Sequence, residues 1–378
     1  MNIKNAWLAL STLTVYAGLI QTINARQLAT GHEPSAIRQV VDQYMQPFLG
    51  QHNAPGAIVG VSIHGRREFF QYGAATDDGS SFTPTTLVEI GSCTKVFTTT
   101  LFALAIARHQ IEPDQSAQRY MPKWFTLQST AQQVTPRQLA EFTSGMPRDP
   151  DHLPDNLQMR DIDHYTVTDF LLWVSRWKPV SPPPADYLYS NAGTGLLSYL
   201  VAEATGSPWE MQLNNEILGP LGMMDTEMRP SAQQMTRMAQ GHRANGMAAP
   251  PWPIFAWFAA GALRSTALDM LRFGEANLSH QEIDGRPVSE ELISAMKTAQ
   301  APVYLLPSGK AKQGMAWVTN LGDEQAGQHV EVLKNGGTVG FSTVILINPS
   351  KDAAIFIAVN QTKSNPAPIA IQIGRHLP

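Results

Sequence analysis

The chain has 378 residues, of which 43% are hydrophobic and 15% are charged, a balance that is typical of a folded protein with a large core. Its 27 lysines and arginines against 31 aspartates and glutamates give a formal net charge of −4. Because there is no basic excess to bind the phosphate backbone, nucleic acid is not an expected partner. The length fits one large domain or two subdomains.

The first 25 residues predict a secretory signal peptide. Lys4 precedes an apolar run over Ala6–Ile20, and a polar segment then ends at Ala25. An uncleaved membrane anchor is the alternative, but hydroxyl residues interrupt a run that is already shorter than the roughly 20 apolar residues a bilayer needs. We therefore expect export to the periplasm, cleavage near Ala25 and no stable membrane insertion afterwards.

The predicted elements begin with an amphipathic helix over Pro34–Leu49, where apolar residues recur at helical spacing. Two β-rich runs on either side of His64-Gly65 predict a hairpin. From about Thr85 to Gln300 the pattern is mainly helical with proline-rich loops. Strands return near the C-terminus, and a last helix follows them; the segments are HVEVLKNG, GFSTVILINPS, AAIFIAVNQ and PIAIQIGRHL.

These elements predict an α/β fold of the α+β kind, an antiparallel sheet built from both chain ends and flanked by helices, with a large, mainly helical insertion. The expected boundaries are 26–84 plus 301–378 for the sheet subdomain and 85–300 for the helical subdomain. Together they form a single domain over 26–378. The seam between the two subdomains is a natural place for a cleft.

The segment GSCTK places Ser92 between a strand-like run and a long apolar segment that predicts a buried helix. The hydroxyl would lie at the first helical turn, where unpaired N–H groups and the helix dipole favour negative charge. Lys95 lies three residues on, on the same helical face. Because a buried lysine beside a second cation can be neutral, Lys95 could take the proton that makes Ser92 a nucleophile.

The Ser-x-x-Lys pattern occurs twice more, at Ser175 to Lys178 and at Ser294 to Lys297. Neither copy follows a strand and a tight glycine turn. We interpret both as ordinary helix residues. Cys93, the single cysteine, cannot form an internal disulfide, has no neighbouring base and is expected to be a small core residue.

A second cluster, LYSNAG, contains Tyr189 and Asn191. Tyr189 can relay protons if neighbouring cations lower the pKa of its phenol, which is ordinarily about 10. A buried, hydrogen-bonded tyrosine is the alternative interpretation.

A third cluster, LKNGGTVGF, contains Lys334, Gly336 and Gly337. Lys334 could supply a cation near the phenol or hold a substrate carboxylate, although it could also be a solvated strand lysine. The two glycines let a substrate backbone lie against the strand. A backbone N–H near Gly337, paired with that of Ser92, could form an oxyanion hole.

With these three clusters in order, the sequence resembles the serine penicillin-recognising enzymes, most closely the class C β-lactamases and the related D,D-peptidases. The resemblance extends over nearly the whole mature chain, through TPRQLAEFTSGMPRD, ILGPLGMMDTEM and AAGALRSTALDM among other segments. It implies an acyl-enzyme on Ser92, with Lys95 and Tyr189 as the proton-transfer pair. It also implies that Asn191 holds the substrate's amide side chain, that Lys334 belongs to the third motif and that Asn365 approaches the substrate carboxylate.

The resemblance predicts an exported serine hydrolase that opens β-lactam rings through a Ser92 acyl-enzyme. The alternatives are a peptidoglycan D,D-carboxypeptidase or endopeptidase that penicillin acylates, an esterase on the same scaffold, and a non-catalytic wall-binding module. The expected partner is a small β-lactam or a peptidoglycan stem peptide, and the expected state is a monomer. No cofactor is expected, because no nucleotide-binding glycine loop, HExxH motif or cysteine pair is present.

Four positions depart from the family pattern. Asn335 replaces a threonine in the third motif, Gly337 stands where many β-lactamases carry serine, and Phe142 replaces a histidine. Ser190, inside the tyrosine motif, is commoner in the peptidase-like and esterase-like branches. These changes leave the acylation chemistry intact and the preferred substrate open. EMQLN, from Glu210, matches a class A deacylation motif but lies in an amphipathic helix pattern, which favours a helix surface.

Overall fold

The computed structural model describes residues 35–150, 165–322 and 330–378. The predicted signal peptide, residues 1–25, lies outside these ranges. Among the helices inside them, none combines the length and the apolar character that a bilayer-spanning helix needs.

Twelve strands lie within the described residues. They are β1 (Gly56–Ile63), β2 (Arg66–Gly73), β3 (Val88–Glu89), β4 (Arg264–Ser265), β5 (Glu282–Ile283), β6 (Arg286–Pro287), β7 (Tyr304–Leu305), β8 (Ala311–Gln313), β9 (Val318–Asn320), β10 (Glu331–Gly337), β11 (Ser342–Asn348) and β12 (Ala353–Val359).

Eleven α-helices accompany them in the same part of the chain. They are α1 (Ala36–His52), α2 (Thr94–Ala107), α3 (Pro136–Ala140), α4 (Val167–Arg176), α5 (Asn191–Thr205), α6 (Trp209–Gln212), α7 (Gly219–Leu221), α8 (Ala232–Met235), α9 (Ala267–Asn277), α10 (Glu290–Gln300) and α11 (Ala367–His376).

An eight-stranded sheet forms the centre of the fold, in the order β2-β1-β12-β11-β10-β9-β8-β7. Each neighbouring pair is antiparallel. The N-terminal hairpin joins the C-terminal strands through β1 and β12, with Ala57 opposite Val359. The predicted turn is present, since His64 and Gly65 connect β1 to β2 with φ angles of 51° and 75°. The predicted fold class is therefore confirmed.

The central strands β1, β11 and β12 are buried on both faces, because successive strand residues alternate between two apolar clusters. Val59 and Ile357 face the side covered by α1 and α11, whereas Ile58 and Phe356 belong to the larger cluster on the side of α9. Helix α1 begins after Ser35, whose hydroxyl accepts a hydrogen bond from the Arg38 N–H. It runs three residues beyond the predicted end at Leu49.

Helix α2 lies at the centre of the mainly helical part of the molecule. From Thr94 to Ala105 every residue is buried, and the helix packs against α5 and α10. A helix that is apolar on all sides is stable only inside a core. The residues at its start are consequently held from several directions, and this is where the sheet meets the helices.

Candidate active site

Ser92 lies in a 3₁₀ turn, Gly91–Cys93, that continues directly into α2. Short strands β3 and β4 hold the approach to this turn, with Val88 opposite Ser265. Gly91 has a φ of 50°, and a Cβ atom there would lie 2.6 Å from the carbonyl oxygen of Gly337. Glycine is therefore needed at position 91 both for the backbone conformation and for the close approach to β10.

Of the four predicted catalytic residues, Tyr189 and Lys95 meet at the hydroxyl oxygen of Ser92, and Lys334 lies nearby. The Tyr189 hydroxyl donates a hydrogen bond of 2.7 Å to Ser92 Oγ. Lys95 Nζ lies 3.3 Å from the same oxygen, and Ser92 itself lines an open cleft. Residues from two helix starts that are 97 positions apart thus meet at a hydroxyl that a substrate can reach.

The Lys95 side chain is fully buried. Its Nζ lies 2.7 Å from Asn191 Oδ1 and 2.6 Å from the carbonyl oxygen of Ala260. Burial holds the pKa of Lys95 well below its ordinary value, and the positive charge of Lys334 lowers it further. Desolvation and a nearby like charge both disfavour the ammonium form. Lys95 is therefore suited to act as a neutral amine base.

Tyr189 corrects part of the sequence interpretation. Lys95, Lys334 and Arg148 lie over its ring, 4.9, 5.2 and 5.4 Å from the centroid. Burial nevertheless raises the pKa of the phenol and outweighs the lowering by Ser92 and Arg148. The net lowering of the phenol pKa that a proton-relay role was expected to need is therefore not found, because burial, which includes contact with the Phe142 ring at 4.9 Å, disfavours a phenolate more than Arg148 favours it. In the resting site the phenol is a proton donor.

Lys334 extends from β10 toward the same phenol. Its Nζ donates to the Asn335 carbonyl oxygen at 3.0 Å and lies 3.3 Å from Asn335 Oδ1. Burial lowers the pKa of Lys334 to about 8. The asparagine that replaces the family's threonine is thus a neighbour of this ammonium group and lines the cleft with it.

Gly336 and Gly337 lie beside the Ser92 turn and differ in the space around them. A Cβ atom on Gly336 would lie 2.0 Å from the Ile90 carbonyl oxygen and 2.5 Å from Thr343 Oγ1. A Cβ atom on Gly337 would have only the Phe341 carbonyl oxygen nearby, at 3.9 Å. Only Gly336 is therefore required by packing.

The cleft in front of Ser92 has a volume of about 930 Å³. Its cationic side chains are Arg148, Arg243, Lys334 and Lys363, and among the described residues no aspartate or glutamate lines it. Asn365, predicted from the family resemblance, also lines this cleft. Sequence reasoning missed the cations Arg148, Arg243 and Lys363, although Arg148 lies within the segment TPRQLAEFTSGMPRD and Lys363 lies two residues before Asn365.

A smaller cavity of about 250 Å³ also adjoins Ser92 and shares Arg148, Trp252 and Gly337 with the cleft. Trp252, Phe255 and Trp257 form its apolar wall, and Asp149 and Asn191 provide polar groups. Sequence reasoning also missed this wall. The aromatic-rich segment PWPIFAWF was the available signal, but aromatic residues at such spacing are equally typical of a core.

The other candidates lie away from the cleft. Ser175 is half-buried, and its hydroxyl donates to the Leu172 carbonyl within α4; Ser294 is exposed on α10. Glu210 pairs with Arg229 on the surface at 3.1 Å.

Cys93 is buried, with its Sγ 3.3 Å from the Lys334 carbonyl oxygen, and burial raises the pKa of its thiol. Within the three described ranges, no three side chains among His, Cys, Asp and Glu lie close enough together to hold a metal ion.

Comparison with known proteins agrees with this geometry. A family model described as Beta-lactamase matches residues 37–374. A beta-lactamase of Pseudomonas fluorescens is 27% identical over 353 residues, which cover 87% of this chain and 95% of the relative. The D-alanyl-D-alanine-carboxypeptidase/endopeptidase AmpH of Escherichia coli is 26% identical over 359 residues, 92% of this chain and 89% of the relative.

The solved structure of a class C beta lactamase from Rhodobacter sphaeroides, 25% identical, gives a TM-score of 0.75 and covers 89% of this chain and 97% of that one. Fold and matches together define an enzyme of the β-lactamase/transpeptidase-like serine hydrolase class. The chain belongs to the beta-lactamase family, as its sequence motifs indicated.

Proposed function

We propose that this protein is an exported class C-type β-lactamase that opens β-lactam rings through an acyl-enzyme on Ser92. One observation carries the proposal. Ser92 Oγ lies 2.7 Å from Tyr189 Oη and 3.3 Å from Lys95 Nζ on the wall of an open cleft. These distances support a nucleophile, a base and a proton donor that meet at one oxygen atom before substrate binds. The exported location rests on the residue pattern of 1–25.

Lys95 is the base for acylation. A neutral amine has two hydrogens and one lone pair. The Asn191 Oδ1 and Ala260 carbonyl oxygens accept the two hydrogens, which leaves the lone pair for the Ser92 hydroxyl. Ser92 Oγ then attacks the lactam carbonyl carbon while its proton passes to Lys95 Nζ. Positioned proton transfer of this kind contributes about 10²- to 10⁴-fold to a rate.

Attack converts the carbonyl oxygen to an oxyanion, which the backbone N–H groups of Ser92 and Gly337 would bind. The ring C–N bond then breaks, and the leaving nitrogen takes the proton of the Tyr189 hydroxyl. Tyr189 recovers a proton from the Lys95 ammonium, so the site returns to its starting charge. The raised pKa of Tyr189 fits this role, because a neutral phenol is the form that can donate.

Hydrolysis of the acyl-enzyme uses the same two groups in reverse. A water molecule attacks the ester carbon, and Tyr189 takes the water's proton as it passes its own to neutral Lys95. The C–O bond of the ester then breaks, and Ser92 Oγ leaves with the proton of the Lys95 ammonium, which restores the starting site. The cationic lining of the cleft supports a substrate with a carboxylate, since Lys334, Arg243 and Lys363 present positive charge to it.

A peptidoglycan D,D-carboxypeptidase or endopeptidase is the second candidate. One observation that favours it is the similarity to AmpH over 92% of the chain. The other is that Asn335 and Gly337 lack the hydroxyl groups that threonine and serine at these positions use in many β-lactamases to bind the substrate carboxylate. A penicillin acylates both kinds of enzyme, so the two differ in how long the acyl-enzyme lasts. An esterase on the same scaffold would cleave a short-chain nitrophenyl ester instead.

The test is intact-protein mass spectrometry over time after addition of a penicillin. We expect one adduct on Ser92 that is lost within seconds. Ser92→Ala should form no adduct, and Ser294→Ala, which removes the serine of a surface copy of the same motif, should behave as the parent. An adduct that persists for many minutes would favour the peptidase, and an adduct on any other residue would exclude the proposed nucleophile.

A further inference from the structure

Asp149 approaches the site through its contact with Asn191. The Asn191 amide nitrogen, Nδ2, donates a hydrogen bond of 2.9 Å to Asp149 Oδ1, while the amide oxygen lies 2.7 Å from Lys95 Nζ. Asp149 therefore reaches the proposed base through one intervening amide. Neither the motifs nor the charge pattern of the sequence indicated this residue.

Four hydrogen bonds attach the Asp149 loop to the start of α5. Ser190 Oγ donates to the Pro147 carbonyl oxygen at 2.6 Å. The N–H groups of Asn191 and Ala192 donate to the Arg148 carbonyl oxygen at 2.7 and 3.1 Å. The fourth is the side-chain contact to Asp149 itself. A carboxylate at a helix N-terminus is also favoured by the helix dipole. The backbone therefore fixes where this carboxylate can be.

The orientation of the Asn191 amide determines what Lys95 can do. The two ends of an amide have almost the same shape, so its hydrogen-bonding partners decide which end points where. In the reverse orientation, the Asn191 carbonyl would face the Asp149 carboxylate, and two acceptors would be in contact. The Asn191 N–H group would then face Lys95 and could donate to the amine lone pair that Ser92 needs.

We propose that Asp149 is a positioning residue that holds the Asn191 amide in one orientation and so keeps the Lys95 lone pair available to the Ser92 hydroxyl. This inference rests on the proposed Ser92 acylation. Asp149 and Ser92 line the same small cavity, and among the described residues no hydrogen bond joins the two side chains, so Asp149 acts through Asn191. Its other partner is Arg148, 3.6 Å away, and that pair is largely exposed.

Asp149 also acts on Lys95 through its charge. The charged and titratable groups that act on Lys95 are Lys334, Arg148, Asp149 and Cys93, and Tyr189 lies beside it. The Asp149 charge raises the pKa of Lys95, against the lowering by burial and by Lys334. Removing this charge should therefore lower the pKa of Lys95. The acid limb of the pH–rate profile, where acylation slows because Lys95 becomes protonated, would therefore move to lower pH.

Two substitutions separate orientation from charge. Asp149→Asn removes the charge but keeps an oxygen that can accept the Asn191 N–H. Asp149→Ala removes both. We expect the acylation rate at the upper plateau of the pH profile to stay within about threefold of the parent for Asp149→Asn, and to fall roughly 10- to 100-fold for Asp149→Ala, a loss typical of a misplaced catalytic group. Both variants should show the same downward shift of the acid limb.

The rates are measured by stopped flow with a fluorescent penicillin across pH, on the full mature chain, with thermal unfolding of each variant. Asp114→Ala, which removes a surface carboxylate paired with Arg137, is the control and should match the parent. If Asp149→Ala is unstable, Asp149→Leu fills a similar volume without accepting a hydrogen bond and should show the same loss.

A parent-like plateau for Asp149→Ala would overturn the proposal. So would a plateau for Asp149→Asn as low as that for Asp149→Ala, because charge alone would then explain the effect. If the parent itself fails to acylate at Ser92, the proposed function fails instead, and this outcome is distinguishable from both.

Discussion

Two segments of this molecule have the same four-residue pattern and opposite surroundings. Ser92 to Lys95 runs from the 3₁₀ turn into the buried helix α2, and the Lys95 side chain is 0% exposed. Ser294 to Lys297 lies on α10, where both side chains face solvent. The pattern supplies only the spacing of a hydroxyl and an amine. Burial, two carbonyl acceptors and the nearby charge of Lys334 are what make the first amine a candidate base.

Replacing each lysine in turn is the most direct test of whether the buried amine, unlike the exposed one, acts as a base. Lys95→Met should lower the acylation rate on the order of 1,000-fold, because the base is lost while the length of the side chain is kept. Lys297→Met should leave that rate unchanged. Stopped-flow labelling by a fluorescent penicillin gives both rates, and thermal unfolding shows whether each variant is folded. Rapid acylation of a folded Lys95→Met enzyme would rule out Lys95 as the base.

Gly336 and Gly337 test how far the reactive turn depends on close packing against β10. Gly336→Ala should displace the Ser92 turn, because its Cβ would lie 2.0 Å from the Ile90 carbonyl oxygen. We expect acylation to fall roughly 100-fold and stability to fall by about 1–3 kcal/mol. Gly337→Ala should change both quantities little. Urea unfolding gives the stability of each variant, and stopped flow gives its acylation rate. Equal losses in the two variants would contradict the conclusion that only Gly336 is required by packing.

The charge of Lys334 can be tested through pH. Acylation requires neutral Lys95, so its rate falls as pH drops through the pKa of Lys95. Lys334→Met removes a positive charge that disfavours the Lys95 ammonium, so the pKa of Lys95 should rise and the acid limb should move to higher pH. In the parent, substrate binding should weaken above about pH 8, where Lys334 loses its charge. The variant should not show this weakening.

We also expect KM for a penicillin to rise about tenfold in Lys334→Met, since a charge-assisted hydrogen bond contributes about 1.5–3 kcal/mol. Lys363→Met is the matched control, because Lys363 lines the same cleft. It should raise KM without moving the acid limb. Steady-state kinetics at a series of pH values give KM and the acid limb for both variants. If Lys334→Met does not shift the acid limb, the charge of Lys334 does not affect the pKa of Lys95.

The smallest effect is expected at Glu210, which lies on the helical surface in a segment that imitates a deacylation motif. Glu210→Gln should change the lifetime of the acyl-enzyme by less than about twofold, because the carboxylate pairs with Arg229 in an exposed setting where such pairs are worth about 0–1 kcal/mol. Time-resolved mass spectrometry measures this lifetime. A much longer acyl-enzyme lifetime would show that Glu210 takes part in deacylation and would contradict its assignment as a surface residue.

Much of the fold could be predicted because it depends on local patterns. Alternating apolar residues and turn signals indicated β1, β2 and the three C-terminal strands, and the order of the three clusters indicated which side chains meet. The short strands β7 to β9 escaped prediction, since two or three residues are too few to show a period.

The missed parts of the site depend on tertiary contacts. The Ala260 carbonyl that accepts from Lys95 belongs to the backbone, which has no sequence signature. Asp149 reaches the site only because its loop is hydrogen-bonded to the start of α5. The direction of the Tyr189 pKa depends on how completely its ring is enclosed, and neither composition nor spacing reports that quantity.

The cationic cleft lies in a chain whose formal net charge is −4. A local field of this sign attracts an anion from solution and accelerates the encounter, and dissolved salt weakens that attraction beyond about 8 Å at physiological ionic strength. Capture of an anionic substrate should thus slow as salt is added, whereas the covalent steps at Ser92, which occur between groups already in contact, should be far less sensitive.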